Sequence, residues 1–318
     1  MIDKELEERR IKGAIVGLLL GDAVGIHYYL NRYNVPKGLT PPQMPQVSEI
    51  TLRPGPGVRL DGTYSNSTAL ALCTMATINE LGNIDFQDLL EKFHDCCVGS
   101  YMNYDEEDYF MGNTTVKAIK NHNNGMPMDK CGLRDEQALD DEVLARMLPI
   151  GLYYATNDLE MLIDRAHSLC QITHNSYPAK VCSVIYCLLI RNLLLNNAEK
   201  VFDVLLKYYE DHNMPEYAAT LQKIREHEDN SNNVMTSFWN SWRCFAKDKE
   251  NFKLAVSKAA LSQSASITCS IVGSLCGINS GLNDIPSDWL RALRLGPEPM
   301  EVIESFVQKV IRKLEKQS

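Results

Sequence analysis

Apolar residues recur along most of this chain at the three-to-four-residue spacing of helices, and no stretch alternates convincingly with period two. Across residues 5–25 the stripe is Ile11, Ala14, Ile15, Leu18 and Leu19. Gly13, Gly17, Gly21 and Gly25 fall every four residues on the same segment, and Gly273, Gly277 and Gly281 repeat the device near the other end. Each glycine costs a helix about 1 kcal/mol relative to alanine. The two stripes therefore predict helices whose backbones approach closely. Further helices are expected over 68–81, 86–97, 114–121, 136–154, 158–170, 178–195, 198–209, 215–226, 233–246, 252–281 with a break near Ser262, and 299–316.

Residues 26–63 read differently. Pro36, Pro41, Pro42, Pro45, Pro54 and Pro56 with Gly38, Gly55, Gly57 and Gly62 predict one long irregular connection, either a lid or binding wall or a disordered stretch. No linker divides the rest. The expectation is an all-α chain forming a single compact, orthogonal multi-helix domain over residues 1–318.

Composition fits that picture: 45% hydrophobic and 23% charged residues in 318 can bury a sizeable core. A net charge of -9 and the lack of a basic run argue against nucleic acid as a partner. The apolar runs 15–20 and 181–190 fall short of the roughly 20 residues a bilayer span needs, and the first residues lack a basic region followed by an apolar one. The expected setting is cytoplasmic, without a membrane partner. Ten cysteines at irregular spacing, with no CxxC, suit a reduced core better than zinc or disulfides.

The candidate chemistry centres on Tyr64-Ser65-Asn66-Ser67-Thr68, where small hydrogen-bonding side chains turn into a helical apolar run. Gly21-Asp22-Ala23-Val24-Gly25, Gly112-Asn113-Thr114-Thr115 with Ala118, Arg146 with Pro149-Ile150, Thr173-His174, and residues 262–281 with Asn283-Asp284-Ile285-Pro286 follow in order. Together these segments resemble the ADP-ribosylglycohydrolase family over nearly the whole chain. The resemblance implies an all-α hydrolase fold in which carboxylates hold two Mg2+ or Mn2+ ions against the ribose of an ADP-ribosyl group.

Aligned in this way, the family's ligand glutamate falls on Tyr29, its Thr-Asp-Asp-Thr signature on Ser65-Asn66-Ser67-Thr68, and its Asp-Thr-Asp-Thr signature on Ser264-Ala265-Ser266-Ile267. Five acidic ligand positions thus read Tyr29, Asn66, Ser67, Ser264 and Ser266. Neutral hydroxyls and an amide do not balance two divalent cations, so the two ions are expected to be absent. The family's glycine-rich loop falls on Asp140-Asp141-Glu142-Val143, where carboxylates repel a pyrophosphate. Asn113, Thr114, Arg146 and His174 remain as possible cleft residues.

Plainer readings stand beside these. Asn66 or Ser67 suits a helix N-cap, Ser262, Ser264 and Ser266 suit a tightly packed helix, and His174 suits a structural role. The acidic run from Asp135 to Glu142 reads as a solvated helix start. Two functions follow. One is a catalytically silent family member that binds an unidentified protein or small molecule through the former cleft. The other is an active hydrolase of ADP-ribosylated or other N-glycosidic substrates by a metal-independent or relocated-metal route, with Asp22, Asp61, Asp141, Glu142 and His174 as its acid and base candidates.

Overall fold

The computed structural model describes residues 3–31, 62–99, 101–102, 111–134, 138–226 and 233–317. Among them there is no strand, only an isolated parallel bridge between Leu133 and His174. The helices are α1 Lys4–Asn31, α2 Asn66–Leu81, α3 Phe86–Cys97, α4 Asn113–Asn123, α5 Met128–Cys131, α6 Leu148–Tyr153, α7 Leu159–Gln171 and α8 Tyr177–Leu194. They continue as α9 Val201–Asp211, α10 Pro215–Glu226, α11 Val234–Asp248, α12 Phe252–Ala259, α13 Ala265–Ser280, α14 Ser287–Ala292 and α15 Pro297–Glu315.

The centre of the fold is the antiparallel pair α1 and α13. A Cβ on Gly13, Gly17, Gly21 or Gly25 would lie 2.4, 2.2, 2.1 and 2.3 Å from the carbonyl oxygens of Gly277, Gly273, Cys269 and Ala265. These are backbone contacts no other residue permits, with Cα–H groups facing carbonyls along the seam. The glycine stripes thus find each other as expected. Around the pair, Ile11, Ile15, Leu18 and Leu19 of α1 and Ile271, Val272 and Leu275 of α13 are 0–1% exposed within one continuous apolar core.

The predicted break near Ser262 is real: α12 stops at Ala259 and α13 begins at Ala265. Other boundaries move. α1 continues past Gly25 to Asn31, so His27 and Tyr28 belong to a helix and not to the connection expected from residue 26. Residues 32–61 of that stretch and the Tyr29 side chain lie outside the described residues. The helix expected over 136–154 is a 3₁₀ segment, Glu142–Met147, running into α6. Its first turns cannot be helical because the carbonyls of Ala138 and Leu139 accept from Ser176 Oγ (3.0 Å) and the Val234 amide (2.8 Å). α2 is capped at Ser65, one residue before Asn66 and two before Ser67, the expected caps, and without a side-chain cap bond.

Lys4–Tyr28 and Tyr177–Leu194 are long and apolar enough by length and composition to cross a bilayer, which the shorter runs in the sequence did not suggest. In this fold 83% and 67% of those windows are buried against other helices. None of the ten cysteines forms a disulfide and eight are buried, in keeping with the core reading.

Candidate functional site

Three helix starts and one 3₁₀ segment meet at one end of the α1–α13 pair. Asp22, on the α1 face turned away from solvent, is fully buried. Its Oδ2 accepts the Ser65 backbone N–H at 2.5 Å, and its Oδ1 accepts the Ser266 hydroxyl. One carboxylate therefore ties the first turn of α2 to the first turn of α13. Ser65, Asn66, Ser67 and Ile267 are buried around it. Ser65 Oγ, Thr68 Oγ1 and Thr268 Oγ1 are buried without a hydrogen-bond partner among the described residues.

Asp141 makes the parallel arrangement alongside. Its carboxylate accepts the Ser237 hydroxyl of α11, and Ser264 donates to it from the residue before α13. Burial pushes the Asp141 carboxyl above its ordinary range, against those two hydroxyls. Ser264 and Ser266 thus each face a carboxylate, one from the 140–142 loop and one from α1.

Asp140, Asp141 and Glu142 are not a solvated helix start, and Asp135 and Glu136 lie outside the described residues. Glu142 is buried, and its Oε2 accepts the Gly112 amide at 2.7 Å while its Oε1 accepts the Thr115 hydroxyl. It sits at the N-terminus of α4, where amides favour an anion. A Cβ at Gly112 would fall 2.4 Å from that carboxyl, so the glycine makes the approach possible. Asp140 accepts from Thr114 Oγ1 and pairs with His174 Nε2. Burial pushes the Asp140 carboxyl up, but the hydrogen bonds from His174 and Thr114 and the Arg146 charge outweigh it and leave it below the ordinary range.

His174 and Arg146 are both fully buried. Arg146 Nη2 donates to Thr173 Oγ1 and lies 3.2 Å from His174 Nδ1. A guanidinium has only donors, so Nδ1 accepts, and the ring proton sits on Nε2 and points to Asp140. The Arg146 charge is offset by Glu142 and Asp140, and its Cζ lies 5.4 Å from the Phe93 ring centroid. One ligand atom each from Asp140, Glu142 and His174 falls within 4.8 Å of the others.

Of the sequence candidates, the structure gathers Asp22 with Ser65 and Ser266, Asp141 with Ser264, and Glu142, Thr114, Arg146 and His174 into one network. Asn113 is exposed, and Asp61 and the Tyr29 side chain lie outside the described residues. Sequence reasoning passed over Ser237 and Thr115 as carboxylate partners. Ser237 sits in an ordinary helical pattern that carries no signal, whereas the Thr114-Thr115 pair facing an acidic triplet was a usable one.

Comparison with known proteins agrees with this fold. The ADP-ribosylglycohydrolase family model matches residues 3–318. The ADP-ribosylarginine hydrolase Tri1 of Serratia proteamaculans (strain 568) is 23% identical over 299 residues, 89% of this chain and 75% of that protein. A solved structure described as an ADP-ribosylglycohydrolase-related protein complex superposes with a TM-score of 0.69 at 22% identity, covering 97% of this chain and 99% of the other. The chain belongs to the ADP-ribosylglycohydrolase family.

Proposed function

We propose that this protein is a catalytically silent member of its family that acts by binding a protein or small-molecule ligand. The observation that carries the reading is the Asp22 carboxylate, whose two oxygens accept from Ser65 N–H and Ser266 Oγ, at two segments aligned with the family's metal signatures. Those positions supply hydrogen-bond donors toward an inherited acid. A di-metal centre needs acceptors there, and hard divalent ions need several anionic oxygens. Asp141 is engaged in the same way by Ser237 and Ser264. The residues present do not fit two Mg2+ or Mn2+ ions.

A second reading is an active hydrolase of ADP-ribosylated or other N-glycosidic substrates with a relocated site. The convergence of Asp140, Glu142 and His174 favours it. Against it stands the tautomer: to ligate through Nε2, His174 would carry its proton on Nδ1, pointing at the Arg146 guanidinium, donor against donor.

The deciding experiment titrates the purified protein calorimetrically with Mg2+, Mn2+ and ADP-ribose, with and without metal, and assays release of ADP-ribose from ADP-ribosylarginine. No metal heat and no release is the expected result. Metal-dependent release would overturn the reading in favour of a rebuilt site.

A further inference from the structure

A cavity of about 690 Å3 opens beside the His174 network, at the start of α8. Its walls include Arg134, Gln171, Ser176, Tyr177, Lys180 and Tyr217, and no described aspartate or glutamate lines it. Lys180 is only 6% exposed, yet among the described residues its Nζ donates to neutral oxygens alone, Gln171 Oε1 at 2.9 Å and Tyr217 OH at 3.4 Å. Burying a cation without a counter-ion is costly. Desolvation, with Arg134 adding to it, holds the Lys180 ammonium below its ordinary range. Arg134 is exposed at the rim of the same cavity.

The α8 N-terminus adds a favourable dipole to these two cations. The rings of Tyr177 and Tyr217 stand edge-on, with centroids 4.8 Å apart, and Tyr177 is 45% exposed. With Tyr217 OH 3.4 Å from Lys180 Nζ, the arrangement sets a cation beside an open aromatic wall.

We propose that this cavity binds a small organic phosphate monoester carrying a planar ring, with the phosphate between Lys180 and Arg134 and the ring against Tyr177 and Tyr217. The phosphate supplies the counter-charge that Lys180 lacks, and the ring covers aromatic surface. The proposal rests on the binding half of the function proposed above and is independent of whether turnover is lost.

The test is calorimetric titration of the full chain with phenyl phosphate, inorganic phosphate and phenol. Phenyl phosphate is expected to bind most tightly, inorganic phosphate about tenfold more weakly, and phenol not measurably, with affinity falling as salt rises. R134Q and K180Q are each expected to weaken phenyl phosphate about tenfold, the loss of one charge-assisted contact. Since Lys180 is buried, R134Q at the exposed rim keeps the test decisive should K180Q fail to fold. Absence of phenyl phosphate binding, binding unchanged in R134Q, or equal binding of phenol would each overturn the proposal. Hydrolysis of ADP-ribosylarginine, assayed on the same samples, would overturn the silent reading and leave these titrations unaffected.

Discussion

Asp22 on α1 and Ser266 on α13 are joined carboxylate to hydroxyl across the closest helix pair in the fold, the carboxylate buried and the hydroxyl half-buried, 244 residues apart in sequence. The second oxygen of the same carboxylate holds the Ser65 amide at the start of α2. Removing the acceptor leaves the buried Ser65 amide and the half-buried Ser266 hydroxyl without it and opens a small void. Asp22→Ala is expected to cost about 3 kcal/mol of unfolding free energy, and Ser266→Ala about 1 to 2 kcal/mol, measured by urea denaturation. Ser266→Asp sets a second carboxylate against the first and should cost at least as much as Asp22→Ala without added metal. Wild-type midpoints for all three would mean the pairing contributes nothing.

The glycine seam makes a contrasting pair of predictions. At Gly17 an added Cβ would meet the Gly273 carbonyl at 2.2 Å, and neither backbone can yield without separating the helices. Gly17→Ala is expected to destabilise by roughly 3 kcal/mol or more through this overpacking. Gly82, which ends α2 at φ 68 with open space around it, is different. Gly82→Ala carries only the left-handed backbone cost of about 1 kcal/mol. Thermal unfolding of the two variants should show the ordering, and a reversed order would sink the seam argument.

That seam was legible in the sequence because glycines at a strict four-residue spacing have few other uses, and the two stripes announced each other. The break near Ser262 was legible for a similar reason, a run of small polar residues interrupting a long apolar helix. The network around His174 was not. Asp140, Glu142 and His174 look like surface charge and a lone histidine when read along the chain, and only the bridge between Leu133 and His174 and the start of α4 bring them together. The irregular stretch before Glu142 was misread as helix because its apolar spacing is helical, while the carbonyls that break it bond to Ser176 and Val234, partners distant in sequence. Local pattern reports the face a residue wants to bury, not which distant donor claims its carbonyl.

The Arg146–His174 contact fixes a tautomer that can be observed directly. With Nδ1 accepting from the guanidinium, the imidazole proton resides on Nε2. Long-range nitrogen–carbon correlation spectra of 15N-labelled protein should show the Nε2–H form of His174 and leave it unchanged on adding Mn2+-free Mg2+. The Nδ1–H form, or a shift of the ring nitrogens on adding the metal, would instead support the relocated site. Arg146→Met, which removes the donor but keeps the bulk, should release this preference and cost about 3 kcal/mol, because Glu142 loses the buried cation that offsets it.

Two histidines outside the site should govern the response to mild acid. Burial lowers His27 from 6.5 to about 4, and burial together with the Lys180 charge lowers His167 to about 3. His167 is packed between Tyr209, whose hydroxyl lies 3.1 Å from Nε2, and the tilted Tyr217 ring at 4.9 Å. Below pH 6.5 the unfolded chain binds protons that the folded chain refuses, so stability is complete above that value and declines as the pH falls toward 4. The combined loss by pH 4.5 is on the order of 2 to 3 kcal/mol after allowance for the partial exposure of His27. Asp140, held below its ordinary range, adds its own loss only at more acid pH, whereas Asp141, held above its range, offsets part of the loss as the pH falls, so the histidine share is read from the difference between wild type and variant. Urea midpoints measured at pH 7.0, 5.5 and 4.5 should therefore fall in the wild type and fall less in His167→Gln. A pH-independent wild-type midpoint, or a variant that parallels it, would show that neither imidazole is kept neutral by the fold.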